Sequence, residues 1–346
     1  MAKSFALHIQ ASSLRGTMKD TEYWIGFDLG GTKMLSVVYD ADFKPRGRAR
    51  RRSKGHEGQK AGLERIIQTI DEALQDAGLK RKEIGGIGIG CPGPLDIKRG
   101  IIHEAPNLGW KNVPVKKSLE EEFGCPAIVA NDVDSGVFGE YMFGAGRDAH
   151  CVVGIFPGTG IGGGCVYRGQ LIQGKNCTCM EIGHIPILAD GPLDGAGNCG
   201  TLESLASRLA ISSAAAAAAY RGHAPNLLDN VGTDISNIRS GAIKKSIDDG
   251  DQVVRDIVRH AAGHLSRAVV TMVLLMAPDV VVLGGGLVEA MPDIFVDEVT
   301  KQTRSLLLPA YRDVFTIVPA KLGDDAGVLG AAAWARQSIQ QAAASG

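Results

Sequence analysis

The sequence predicts an α/β protein built as two related lobes. Two observations carry this. The chain has 346 residues, too many for one small core and about right for two ordinary domains. A strand, a glycine-rich turn beside a threonine and a second strand occur twice, in "YWIGFDLGGTKMLSVVYD" (23–40) and "HCVVGIFPGTGIGGGCVYRGQLI" (150–172). Each copy places backbone amides and a hydroxyl at a hairpin tip, as related halves would.

The elements follow in order. Residues 23–29 and 34–39 read as strands joined at glycines. Residues 43–55 read as a basic, turn-rich edge strand, and its basic run 46–54 is a solvated edge, not a nucleic-acid patch, because it has no interleaved aromatics. Residues 62–79 have apolar positions at helical spacing and a glycine near the end. A buried strand in 84–96 runs into a Gly-Pro loop. A helix (115–124), a strand (126–132) and a helix (135–146) lead to the second hairpin. Helices are then expected over 201–222, 234–248 and 251–276, with "SSAAAAAAY" (212–220) a strong helix former. A strand in 279–290 stops at three glycines. A last strand (315–322) precedes a terminal helix (323–340).

Composition excludes several classes. Net charge is −1, so no bulk field draws nucleic acid or anionic membrane. The longest apolar runs, such as 268–277, are too short to span a bilayer. Seven cysteines at irregular spacing do not form a secreted disulfide framework, and a reducing cytoplasm is the expected compartment. The first residues make no convincing signal peptide. Residues 1–22 are expected to be a disordered extension, with Met18 a candidate start just before the first strand.

Strand-to-glycine junctions recur at 28–33, 90–94, 157–164 and 283–286. Phosphate oxygens need several converging N–H donors with no Cβ in the way, and such turns supply them. Any one could be only a tight turn; four in this order argue for a phosphate site. In the first, Gly30 and Gly31 let the backbone approach phosphates. Thr32 donates a hydroxyl, Lys33 offsets negative charge, and Asp28 can hold a hydrated Mg²⁺. The Walker A pattern is absent.

Here the chain resembles the ROK family of repressors and sugar kinases, within the actin-like ATPase (ribonuclease H-like) superfamily. The resemblance rests on "DLGGTK" (28–33), "GIGCPGPLD" (88–96), "APNLGW" (105–110), "NDVDSGVFGEYMFGAG" (131–146), "GTGIGGGCVYRGQLIQG" (158–174), "EIGHIPI" (181–187) and "GDDAGVLGAA" (323–332), and covers about 23–340. It implies two α/β lobes around a central cleft, over 23–132 and 133–324, the first completed by the helix 325–346. Residue by residue, it implies that Asp132 is the general base on the sugar hydroxyl. Gly93, Asn107, Asn131, Glu181, His184 and Glu203 would contact sugar, Thr159 and Gly160 phosphate, and Gly284, Gly285 and Gly286 adenosine. The implied cofactors are ATP and Mg²⁺, the partner a hexose, and the assembly a homodimer. The plainer readings are Asp132 as a helix N-cap and His184 as an ordinary half-buried histidine.

One departure stands out. Most members carry three zinc-binding cysteines after "EIGH". Here "DGAGNCGTLE" (194–203) puts Asp194, Ala196 and Thr201 at those positions, leaving His184 alone. No structural zinc is expected. The rival is a relocated site of Cys177, Cys179, His184 and Cys199. The loop must otherwise be braced by packing or hydrogen bonds.

The function expected is ATP-dependent phosphorylation of a hexose 6-hydroxyl, glucose foremost. Other hexoses, N-acetylhexosamines and polyphosphate as donor stay open. The alternatives of another class are a sugar-sensing repressor and a non-catalytic sugar binder. A repressor would need a DNA-binding domain of about 60 residues or more ahead of Tyr23.

Overall fold

A computed structural model describes residues 23–175 and 178–345. The expected extension, 1–22, and Cys177 therefore lie outside the described residues.

The first lobe opens with strands β1 (Tyr23–Leu29), β2 (Lys33–Tyr39) and β3 (Pro45–Arg52), then helix α1 (Gly58–Ala77). Helix α1 stops where Gly78 adopts a left-handed conformation (φ 68°), and the amides of Gly78 and Leu79 close back onto Gln75 and Leu74. Strands β4 (Ile84–Cys91), β5 (Leu95–Asp96), β6 (Ile101–Ala105) and β7 (Trp110–Val113) follow, then α2 (Val115–Phe123), β8 (Ala127–Asn131) and α3 (Asp132–Phe143). The main sheet has the order β3-β2-β1-β4-β8: an antiparallel hairpin at one side, parallel pairing from β1 onward. The short strands β5, β6 and β7 form a separate sheet.

The second lobe repeats this plan. Strands β9 (Cys151–Pro157), β10 (Ile161–Tyr167) and β11 (Gln170–Leu171) form the hairpin side. Helices α4 (Leu202–Ala206), α5 (Arg208–Tyr220), α6 (Pro225–Val231), α7 (Ser240–Asp248) and α8 (Gln252–Met276) precede β12 (Val280–Leu283), α9 (Gly285–Ala290), α10 (Pro292–Leu306) and β13 (Thr316–Pro319). The sheet order β11-β10-β9-β12-β13 matches the first sheet position for position, with the same antiparallel and parallel pairings. The two related halves read from the hairpins extend to whole sheets.

The terminal helix α11 (Ala326–Ser345) returns to the first lobe, packing on β1, β4 and α3. It comes so close that a Cβ on Gly26 would sit 1.9 Å from the Val328 carbonyl oxygen, and one on Gly88 1.9 Å from that of Ala331. Each lobe has its own apolar core. One is built on Phe27, Ile66, Ile89 and Trp110, the other on Ile155, Leu265, Val281 and Phe295. Between them Phe138 of α3 meets Trp334 of α11 edge-on at 5.1 Å, beside Val152 of β9.

Several expected boundaries differ. The helix expected from 135 starts at Asp132. The single helix expected over 201–222 is two, because Ser207 is extended (ψ 165°) and its hydroxyl caps α5 at the Ala210 amide. The Arg208 amide leaves the helix to reach the Gly158 carbonyl, 2.9 Å. The helix expected from 234 starts at Ser240, after the separate turn α6. The strand expected over 279–290 is β12 alone, since Gly285 and Gly286 begin α9. The strand expected over 315–322 is the four residues of β13. No helix among the described residues is long and apolar enough to cross a membrane.

Candidate active site

Between the lobes lies a cavity of about 400 Å³, lined by Asp28, Lys33, Asp132, Gly285, Gly286, Glu289, Gly323 and Asp324 among others. Five of these are residues the sequence singled out. They come from the end of β1, the start of β2, and the first turns of α3 and α9. Gly327, in the first turn of α11, covers Asp28: a Cβ there would lie 3.6 Å from the Asp28 carboxyl carbon. The amino ends of α3 and α11 thus open into one space, where the positive ends of the helix dipoles favour anions.

Chain geometry fixes each group. Asn131 ends β8 and caps α3, its side-chain oxygen accepting from the amides of Val133 (2.9 Å) and Asp134 (3.2 Å). Asp132 is the first helical residue, not the cap. Its Oδ1 takes the Val133 amide at 2.9 Å, and its second oxygen is not engaged by that amide. Asn131 was expected on sugar hydroxyls. Its oxygen is committed to the cap, so only its amide nitrogen, beside Gly93, can serve. Gly285 has φ 78° and a Cβ there would meet the Pro157 carbonyl at 2.7 Å, so this position demands glycine.

The electrostatics are those of crowded acids. Burial raises Asp132 to about 7, with the Asp28 and Glu181 carboxylates adding to the rise. Burial lifts Asp28 to about 6, with Lys33 working against the rise and Asp324 with it. Burial, then Glu181 and Asp132, lifts Asp134 to about 8; this side chain is 2% exposed and its Oδ1 has no hydrogen-bond partner. Lys33 and Arg50 both bind Asp324, at 3.0 and 2.6 Å, and hold its carboxyl below the usual range.

The remaining expected residues lie off the walls of this cavity. Gly30, Gly31 and Thr32 form the tip of the first hairpin, and Gly31 abuts Asn107, 3.0 Å from a Cβ placed on it to the Asn107 Cβ. Gly93 precedes a cis peptide bond to Pro94. Thr159 and Gly160 form the tip of the β9–β10 hairpin, where Glu203 accepts the Ile161 amide (3.1 Å). Glu181 accepts the Thr178 hydroxyl at 2.7 Å. His184 Nδ1 meets the Asp194 carboxylate at 2.9 Å, which raises the histidine's pKa. Of the expected residues, only Asp28, Lys33, Asp132, Gly285 and Gly286 are on the walls of the 400 Å³ cavity; Gly30, Gly31, Thr32, Gly93, Asn107, Asn131, Thr159, Gly160, Glu181, His184, Glu203 and Gly284 are not, and Thr159 and Glu203 line a second cavity of about 640 Å³. Charge connects Glu181 to the cavity, since its carboxylate adds to the rise at Asp132.

Sequence reasoning missed Asp324 and Glu289 as cavity residues and Arg208 as a partner of Thr159 (3.0 Å). Asp324 was legible, being inside "GDDAGVLGAA". Arg208 was not, because the break that exposes it falls inside a strong helical pattern. For Mg²⁺, no three His, Cys, Asp or Glu side chains converge among the described residues. Asp28 fits instead as the single carboxylate of a water-rich site completed by phosphate oxygens.

Residues 24–338 match the ROK family. A glucokinase from Thermotoga maritima is 30% identical over 316 residues, spanning 91% of this chain and 98% of that enzyme. The crystal structure of a ROK family glucokinase from Streptomyces griseus in complex with glucose and AMPPNP superposes with a TM-score of 0.79 at 30% identity, covering 91% of this chain and 99% of that one. A ROK family transcriptional regulator, a homologue of the Escherichia coli Mlc protein, superposes with a TM-score of 0.79 at 25% identity, covering 90% of this chain and 77% of that one.

Proposed function

We propose that this chain, which belongs to the ROK family, is an ATP-dependent sugar kinase that phosphorylates the 6-hydroxyl of a hexose, glucose foremost. One observation carries the reading. The Asp132 carboxylate, Asp28, Lys33 and the Gly285–Gly286 turn share one cavity between the lobes. The glucokinase relatives support glucose as acceptor and the AMPPNP complex supports ATP as donor.

Each residue has a definable task. Asp132, ionised above about pH 7, accepts the proton of the attacking hydroxyl and orients it. Lys33 and the amides of Gly31, Thr159 and Gly160 hold phosphate oxygens, while Gly30, whose amide closes the hairpin on the Lys33 carbonyl, lets the backbone approach them; the amino ends of α3 and α11 add to the positive field. Gly284, Gly285 and Gly286 border the adenosine. Asp28 would hold Mg²⁺ through water, and the ion, when bound, offsets charge on the phosphate oxygens. Gly93, Asn107, Asn131, Glu181, His184 and Glu203 orient the sugar. Closing the lobes excludes water and limits idle ATP hydrolysis. We place the protein in the cytoplasm as a homodimer.

The test is an ADP-release assay with Mg²⁺ across hexoses and N-acetylhexosamines, with ATP and polyphosphate as donors. The expected outcome is the highest kcat/KM for glucose with ATP, and a 6-phosphate product by NMR. Sugar binding without turnover on any acceptor would overturn the kinase reading and leave a sensor.

A further inference from the structure

We infer that Asp194 is the positioning residue for the sugar side of the cleft, a hydrogen-bonded carboxylate standing where the family resemblance puts a zinc site. The inference rests on the sugar-kinase reading for its functional consequence; the bonding itself does not.

The Asp194 side chain has no exposed surface. Both its oxygens are fully used. Oδ1 accepts the amides of Ala196 (2.9 Å) and Asn198 (2.8 Å), closing the turn of its own loop. Oδ2 accepts His184 Nδ1 (2.9 Å) and the Thr201 hydroxyl (3.0 Å), reaching outside the loop. Those two outward bonds go to the segments that carry the expected sugar contacts. His184 ends the turn that follows Glu181. Thr201 caps α4, whose second residue is Glu203. One carboxylate thus ties Glu181–His184 to Thr201–Glu203 through the base of the intervening loop. The backbone agrees, with Pro186 bridged to Thr201 and the amides of Ile187 and Leu188 both on the Gly200 carbonyl.

The donor set does not suit zinc. A structural site needs four thiolate or imidazole ligands. Here the near nitrogen of His184 and the Thr201 hydroxyl are both spent on Asp194. The Cys199 and Cys179 thiols donate to the carbonyls of Gly191 and Ile172, each at 2.8 Å. A carboxylate accepts only, so His184 carries a proton on Nδ1, which leaves Nε2 as the ring nitrogen available to a ligand. Fixing a histidine ring through the nitrogen that does not meet ligand is how neighbouring groups orient it at functional sites.

The experiment uses the full chain with Asp194→Asn, Asp194→Ala, Thr201→Val and Thr201→Ser. In the asparagine variant, sugar KM and the calorimetric sugar Kd should rise about tenfold, the effect of losing a charge-assisted bond at a buried acceptor. Nucleotide KM and kcat should stay within about threefold on the same grounds. Thr201→Val should move sugar KM in the same direction, and Thr201→Ser should restore it. In Asp194→Ala, which removes both oxygens, hydrogen exchange at the amides of Ala196 and Asn198 should accelerate whether or not the wild type turns over sugar. If the Asp194 variants do not fold, the Thr201 pair decides. Unchanged exchange at those amides, or sugar KM and nucleotide KM rising together, overturns the inference. So does one zinc per wild-type chain by elemental analysis. A wild type without sugar turnover but with the exchange effect would count against the kinase reading and leave the brace standing.

Discussion

Replacing Asp132 by asparagine tests the centre of the site, and the structure sets the size and pH of the effect. Asp132 lies on the cavity wall with its carboxyl raised from 3.8 to about 7 by burial and by Asp28 and Glu181. A base acts only when ionised. Half of the wild type is therefore competent near pH 7, and kcat/KM should fall about tenfold for each further pH unit below it. Asp132→Asn should lose about 10²- to 10⁴-fold in kcat, the usual contribution of a positioned base, with sugar KM little changed. Its residual rate should lack the acid limb. Stability moves the other way. A folded-state value above the unfolded one means the native protein holds the extra proton, so wild-type stability declines as pH rises from about 4 to about 7. The asparagine removes that cost, which is at most about 4 kcal/mol. The variant should melt higher than wild type at pH 8 and about equally at pH 4. The assay is coupled ADP release between pH 5.5 and 9, with calorimetric melts alongside. A variant within tenfold of wild-type kcat, or one that keeps the same acid limb, would refute the assignment and transfer the limb to Asp28, which titrates near pH 6.

Asp134→Asn should be tolerated. Asp134 is protonated at neutral pH (about 8), so the amide mimics its native form, and the variant should gain melting temperature at pH 9 but not at pH 5; a loss at both would show that the acid donates a bond the amide cannot. Lys33→Ala should raise nucleotide KM about tenfold while changing unfolding free energy by less than about 1 kcal/mol, because the Lys33–Asp324 pair is half-exposed (48% and 56%); an unchanged nucleotide KM would remove Lys33 from the phosphate site. Gly88→Ala should cost more than about 3 kcal/mol, since the new Cβ would need the 1.9 Å gap to the Ala331 carbonyl and backbone must move; chemical denaturation measures it, and a near-neutral result would mean that α11 does not pack firmly on β4.

The fold was legible because its signals are local. Strand-to-glycine junctions announce themselves by composition, and two hairpins of one pattern announced two sheets of one order. Boundaries failed where a side chain or a distant carbonyl overrode the helical pattern. Ser207 cuts 201–222 because its hydroxyl caps α5 and the Arg208 amide prefers Gly158, fifty residues away in sequence. Asp28, Lys33, Gly285 and Gly286 were legible as residues of one cavity for the same reason as the hairpins. The residues proposed for the sugar were less so. Asn131 reads as a ligand residue, but the cap claims its oxygen. Asp194 reads as a lost metal ligand, and nothing in its spacing says that its carboxylate would gather four donors.

The pairing of α3 and α11 explains why the acids of the cleft coexist. Both helices present first turns to the cavity, and glycine lets them approach backbone to backbone. A Cβ on Gly139 would lie 2.4 Å from the Ala326 carbonyl, and one on Gly330 1.8 Å from that of Ser135. Their amino ends therefore stay side by side, as a fixed positive field facing Asp28, Asp132 and Asp324. That field, with Lys33 and Arg50, lowers the cost of gathering carboxylates in one place, but does not cancel it, since Asp28 and Asp132 remain raised. Burial is the larger cause of the rise at Asp132, and the Asp28 charge adds to it. Removing that charge with Asp28→Asn should therefore move the acid limb of the remaining rate to lower pH without abolishing it. An acid limb that ignores Asp28→Asn would mean that Asp28 and Asp132 do not sense one another.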